Sequence, residues 1–139
     1  MNRYQQIQET AQRWMNVIWT QYDLAQFDNI HHPDFIDHSP AGRDSSRSAY
    51  RESVIELFNI FPDFRTRVED IVIDEIQGKA AIRWSASGTQ AGEFLGLAAT
   101  HKLISFEGIE IISVDQHGMI TARWGEWDGL NLLQQITTE

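Results

Sequence analysis

Between Tyr4 and Ala25 the apolar residues Tyr4, Ile7, Ala11, Trp14, Met15, Ile18, Tyr22 and Ala25 recur three or four apart, with Gln5, Gln8, Glu9, Gln12 and Arg13 between them. That period belongs to an amphipathic helix, and it predicts a long one at the start of the chain. The stretch from Phe27 to Pro40 contains Pro33 and Pro40, each of which biases the residue before it toward extended geometry, so a short helical turn followed by a loop is expected. Asp44, Ser45 and Ser46 are candidate N-caps for a second helix, whose apolar stripe is Tyr50, Val54, Leu57, Phe58 and Phe61 and which Pro62 ends.

Beyond Pro62 the period shortens to that of strands. Val68 to Ile76 and Ala80 to Ser87 flank Gln77-Gly78, while Leu103 to Val114 and Met119 to Trp127 flank Asp115-Gln116-His117-Gly118. Both pairs predict antiparallel hairpins. Between them, Gly88, Gly92 and Gly96 mark a bent strand or a flap, and Leu130 to Ile136 carry a short helical pattern. Helices first and hairpins afterwards is an α+β order. It implies N-terminal helices packed in the concave face of a strongly curved, mostly antiparallel sheet, as one domain over residues 1–139 that encloses a cavity. Consecutive apolar residues (Ile71, Val72, Ile73; Ile111, Ile112) make the strands apolar on both faces, so a homodimer through the outer sheet face is expected.

Composition narrows the partners. With 42% apolar and 22% charged residues the chain has the make-up of an ordinary globular protein. Its net charge of −9 repels polyphosphate and anionic lipid, and the nearest basic group, Arg43, Arg47 and Arg51, is interleaved with Asp44 and Glu52. Neither nucleic acid nor a membrane is an expected partner. The first residues lack the apolar core of a signal peptide and no run approaches the ~18 apolar residues of a membrane span, which points to the cytoplasm. The absence of cysteine excludes disulfides, thiolate zinc sites and thiol catalysis.

Several segments together resemble a known family: His32-Pro33-Asp34-Phe35, Phe61-Pro62-Asp63-Phe64, Gly88-Thr89-Gln90, Gly92-Glu93-Phe94-Leu95-Gly96-Leu97 with Ala99-Thr100, and the ending Trp124, Asp128, Leu133, Gln134, Gln135, Ile136. In this order they look like the SnoaL-like polyketide cyclases of the nuclear-transport-factor-like superfamily. The resemblance implies a cone-shaped α+β barrel, a dimer, and a deep apolar pocket in which cyclases of the family close a ring by aldol chemistry, with an aspartate as acid and base and no cofactor. It also implies departures here. The place of the family's acid/base aspartate is taken by Gly125, two polar positions on the preceding strand fall on Gly108 and Glu110, the histidine of a Gly-x-His motif appears as Gln90, and an asparagine after the first helix appears as Asp37. Asp128 matches a recurrent family aspartate expected to close the C-terminus.

If the 115–118 connection is a loop of two or four residues, alternation puts Phe106, Gly108, Glu110 and Ile112 on one face with Thr121, Arg123, Gly125 and Trp127. A three-residue loop would instead align Glu110 with Trp124. The even loop is preferred, and the resemblance makes that face the cavity wall. Glu110 is then the candidate general base or acid, raised in pKa by burial, unless an ion pair with Arg123 depresses it. Asp37 is a candidate second carboxylate, or else a turn-forming residue, and Arg123 a candidate orienter or oxyanion stabiliser. Trp14, on the inner stripe of the first helix, and Trp127 are candidate aromatic walls, and Gln90, Phe106, Ile112 and Gly125 complete the ligand-binding set. Packing suffices for Trp84 and Trp124.

His31, His32, Asp34, Asp37 and His38, with His101, are the only dense group of metal-ligating types, but their spacing fits no ligand pattern, and they read as surface or capping groups. The expected ligand is a small apolar or aromatic carbonyl compound, turned over by proton transfer without a cofactor or metal. A non-catalytic binding or accessory protein that lacks the family's aspartate is the alternative, and an epoxide hydrolase or isomerase a further enzymatic one.

Overall fold

The computed structural model describes residues 1–138. Asn2 caps α1 (Arg3–Trp14) in a reciprocal box: its side chain accepts from the Gln5 N–H at 2.8 Å while Gln5 Oε1 accepts from the Asn2 N–H at 3.1 Å. After Trp14 the helix widens into π turns over Met15–Thr20, and it stops at Tyr22, a non-glycine residue at φ 53°. A 3₁₀ turn, Leu24–Gln26, leads into the short α2 (Phe27–Ile30).

The stretch read from the prolines as a loop is a strand, β1 (His31–Asp37), paired in parallel with the last strand of the sheet. Pro33 sits in the break of its register, between His31 and Ile36, on an edge strand where a missing N–H does least harm to the ladder. Ser46 caps α3 (Arg47–Ile60) by accepting from the Ala49 N–H at 3.1 Å. The two hairpins form as the pattern predicts, β2 (Arg65–Asp74) with β3 (Lys79–Thr89) and β4 (Leu103–Val114) with β5 (Ile120–Trp127). They build a five-stranded sheet ordered β1-β5-β4-β3-β2, antiparallel except for β1 on β5. Asp128 caps α4 (Gly129–Thr137) by accepting from the Asn131 N–H at 2.9 Å, the closing role expected of it.

The core lies between the helices and the concave sheet face. Ile7, Ala11, Trp14, Ile18, Val54 and Phe61 meet Ile82, Ile104, Ile112 and Ile120, all buried. On the convex face Val72, Ala81, Ile111 and Trp124 stand in register across four strands as an apolar row, with Val72 62% exposed. Among the described residues no helix is long and apolar enough to cross a membrane.

The segment after β3 resolves as a flap. Phe94 and Leu97 pair across a two-residue turn in which Leu95 and Gly96 both have positive φ, 53° and 77°.

His31 departs from the surface role expected for the histidines. It is wholly enclosed, stacked on Phe27 with ring centroids 4.1 Å apart and edge-on to Phe35 and Tyr50. Its Nε2 accepts from the Trp14 indole N–H at 3.0 Å, so Nδ1 carries the proton donated to the Phe27 carbonyl at 2.9 Å. Burial lowers its pKa to about 4. The unfolded chain therefore takes up a proton near pH 6.5 that the folded protein refuses until about 4, and His31 contributes stability above 6.5 that is lost as pH falls toward 4. The loss expected over that window is about 3 kcal/mol. Urea midpoints at pH 7 and pH 4.5 check it: the fall should be larger in the wild-type protein than in His31→Gln, and equal falls would contradict it.

Candidate functional site

A cavity of about 390 Å³ lies between the π turns, α3 and the inner faces of β3, β4 and β5. Its apolar wall includes Met15, Trp19, Tyr50, Phe64, Phe106 and Trp127, and its polar lining includes Glu110 and Arg123. The volume falls within the range of small-molecule sites.

Strand parity sets this wall. The connection between the paired Val114 and Ile120 is Asp115 to Met119, five residues and not an even number, which alone would align Glu110 with Trp124; a register shift between Ser113 and Val114 restores the expected alignment, with Gly108 opposite Trp127, Glu110 opposite Gly125 and Ile112 opposite Arg123. Parity breaks once. The register shift between Ser113 and Val114 lets Ile120 point into the core in place of Thr121.

Glu110 and Arg123 form a two-pronged ion pair, Nε to Oε2 at 3.0 Å and Nη2 to Oε1 at 2.8 Å. The remaining prong, Nη1, donates to Asp37 Oδ1 at 2.8 Å. Asp37 reaches it because β1 runs parallel to β5 with Asp37 opposite Arg123. Asp37 Oδ1 also accepts from the Ser39 N–H at 2.9 Å, while Oδ2 makes no hydrogen bond among the described residues and lies 3.7 Å from Arg43 Nη2. The Arg123 guanidinium lies over the Tyr50 ring, 4.8 Å from its centroid. All three charged groups are buried.

Two carboxylates thus share the Arg123 guanidinium in a buried wall, with Arg43 beside the outer one. Burial raises the Glu110 pKa; the Arg123 charge and hydrogen bonds pull it down without cancelling that rise, and the Asp37 charge adds to it. The ion pair weighed against burial in the sequence is therefore present, but burial prevails. Burial also works against the Arg123 cation, but the Tyr50, Glu110 and Asp37 oxygens outweigh it and raise its pKa.

Of the sequence-derived candidates, Glu110, Arg123, Phe106, Gly125 and Trp127 line one cavity. Four expectations change. Trp14 is fully enclosed and bonded to His31, and Trp19 lines the cavity in its stead, because the π turns carry a residue five positions on to the same side of the helix. Gln90 is buried beneath the flap and ties it down: its amide donates to the Gly92, Leu97 and Ala98 carbonyls, and its Oε1 accepts from Thr100. Ile112 is core. Asp37 stands behind the wall, reaching the cavity only through Arg123.

Gly125 does not leave open room. A Cβ there would overlap Arg123 Nη2 and lie 2.6 and 2.7 Å from the Glu110 oxygens, so the ion pair fills the space the missing side chain would occupy. The sequence reading missed Trp84, Ser39 and Tyr50 as lining residues. Trp84 reaches the cavity because Gly108 opposes it, where a Cβ would meet the indole at 2.5 Å. Tyr50 was legible only as one member of a helix stripe.

A family model described as SnoaL-like polyketide cyclase matches residues 9–136. The chain belongs to the SnoaL-like polyketide cyclase family. TsrD from Streptomyces laurentii is similar at 23% identity with a TM-score of 0.84, the match covering 99% of this chain and 98% of that one. A candidate polyketide cyclase from Bacillus cereus is 26% identical with a TM-score of 0.77, covering 94% of this chain and 80% of that one. A SnoaL-like polyketide cyclase from Agrobacterium tumefaciens is 18% identical with a TM-score of 0.78, covering 93% and 96%. No curated protein matches the chain. Within the SnoaL-like family this member combines the curved sheet and pocket with a glutamate–arginine–aspartate group at the place where the resemblance puts the acid/base aspartate.

Proposed function

We propose that this SnoaL-like protein is a cofactor-independent acid/base enzyme of cyclase or isomerase type, acting on a small apolar or polycyclic carbonyl compound. One observation carries the reading: the Glu110 carboxylate occupies the cavity wall directly across from Gly125, within van der Waals distance of where that residue's side chain would begin. A carboxylate is thereby supplied from the neighbouring strand. Ionised Glu110 would take the proton from the carbon beside a bound carbonyl, leaving an enolate. Returning it to a different carbon of a conjugated enolate gives isomerisation; if the enolate carbon attacks a second carbonyl of the same molecule, the proton goes to the new alkoxide and a ring closes. Its raised pKa suits that exchange, since a base works best near the ambient pH. Arg123 orients Glu110, and Asp37 orients Arg123. The apolar row on the convex face supports a homodimer through that face, and the acidic balance supports a small-molecule rather than nucleic-acid partner.

The test follows deuterium entry from heavy water into the positions beside the carbonyl of a bicyclic ketone such as 2-tetralone. The wild-type protein is expected to accelerate exchange, and Glu110→Gln to lose about 10²–10⁴-fold of that acceleration while still binding the ketone. Exchange at the buffer rate in wild-type protein, or undiminished in the variant, removes Glu110 from the chemistry. A second reading, a binding protein without turnover, is favoured by the two-pronged clamp of Arg123 on Glu110, which would then be structural; it expects the ketone to bind with no exchange.

A further inference from the structure

The flap carries a leucine where its backbone favours glycine or asparagine. Leu95 and Gly96 make the two-residue turn between Phe94 and Leu97 at φ 53° and 77°, and a bulky side chain crowds that left-handed backbone. Leu95 gains no enclosure in return, for it stays 59% exposed. The flap beneath it is fixed. The buried Gln90 amide holds the Gly92, Leu97 and Ala98 carbonyls, the Ala91 N–H donates to the Ile60 carbonyl at 2.8 Å, and Phe94 sits edge-on to Phe61 with ring centroids 5.4 Å apart. Strain kept at a fixed and exposed position points to use.

Leu95 lines the cavity together with Phe94 and Trp127. Trp127 is 42% exposed, and its ring lies 6.2 Å from that of Phe94. Apolar residues that line a cavity and also face solvent mark its mouth, so on this side the apolar wall runs on to the surface. A ligand confined to the chamber would leave that surface wet.

We propose that Leu95 and Trp127 form a lip for an apolar tail of the ligand: the chamber holds the carbonyl-bearing ring, and an alkyl chain on it leaves through the mouth across these two side chains. The assignment rests on the carbonyl reading above and narrows the ligand to alkyl-bearing ketones. Because the flap is already held in place, covering the lip costs little ordering.

The test uses 6-dimethylamino-2-acylnaphthalenes, whose emission shifts on leaving water, with acyl chains of two, five and eight carbons. They are titrated into wild-type protein and Leu95→Asn, since asparagine suits the left-handed backbone and removes the apolar contact. In wild-type protein each methylene that reaches the lip is expected to tighten binding about two-fold, half the free energy of a fully buried one. Leu95→Asn should bind the two-carbon compound as wild-type protein does and lose about 3- to 10-fold on the eight-carbon compound, with its melting temperature unchanged or higher. A flat series in wild-type protein, binding of no homologue, an equal loss for short and long chains, or a clearly lower melting temperature overturns the lip. So does Leu95-dependent attachment to phosphatidylcholine vesicles, or Leu95-dependent self-association, in place of a chain-length effect. Deuterium exchange into the two-carbon compound with a flat series overturns the lip and leaves the acid/base reading standing; a Leu95-dependent series without exchange supports the lip and counts against that reading alone.

Discussion

Arg123→Leu is expected to destabilise the protein by about 3–5 kcal/mol at pH 7, because it strands buried Glu110 and leaves Asp37 with only Arg43, 3.7 Å away. Asp37 is 1% exposed and cannot turn to water without opening the wall, while Glu110, 7% exposed, faces only the cavity. The sign with pH is informative. In the variant Glu110 resists ionisation still more, the folded state binds a proton that the unfolded state releases, and the deficit shrinks as pH falls toward 4.5. Urea midpoints at the two pH values measure this, and Asp37→Asn added to Arg123→Leu should recover part of the loss. A loss below about 1 kcal/mol would mean that the cluster is worth no more than a surface ion pair.

Gly125→Asp, which returns a carboxylate to the family's position, should not restore a simple aspartate site. Its Cβ would overlap Arg123 and press on both Glu110 oxygens, and its charge would put a third carboxylate around one cation. Gly125→Ala isolates the overlap, with an expected cost of about 1–3 kcal/mol; Gly125→Asp should cost more, with the difference closing at low pH as the carboxylates protonate. Thermal unfolding of the pair at pH 7 and 4.5 measures both. If Gly125→Ala is as stable as wild-type protein, the ion pair does not depend on the glycine, and the account of Glu110 as its replacement loses its steric basis.

The strands of the candidate site were readable because their period is two, and the odd turn between them is offset by a one-residue bulge. Phe106, Glu110, Arg123 and Trp127 share a face because those two effects together keep the parity expected from the pattern. What could not be read were features that break a period. The bulge near Val114 returns Ile120 to the core, and the π turns bring Trp19 to the cavity and leave Trp14 with His31. β1 was hidden by Pro33, and with it the parallel register that delivers Asp37 to Arg123. Gln90 was placed at the ligand by its position in a motif, whereas its hydrogen bonds hold the flap.

Parallel pairing of β1 with β5 joins chain segments synthesised far apart: Asp37 leaves the ribosome 86 residues before Arg123. Until β5 emerges, β1 has no strand to pair with and Asp37 lacks its hydrogen-bonded cation, so the first strand cannot dock early at low cost. The carboxylate–guanidinium group therefore closes late in folding, and a nascent or truncated chain ending before Arg123 would carry α1 to α3 and the β2–β3 hairpin without a finished chamber.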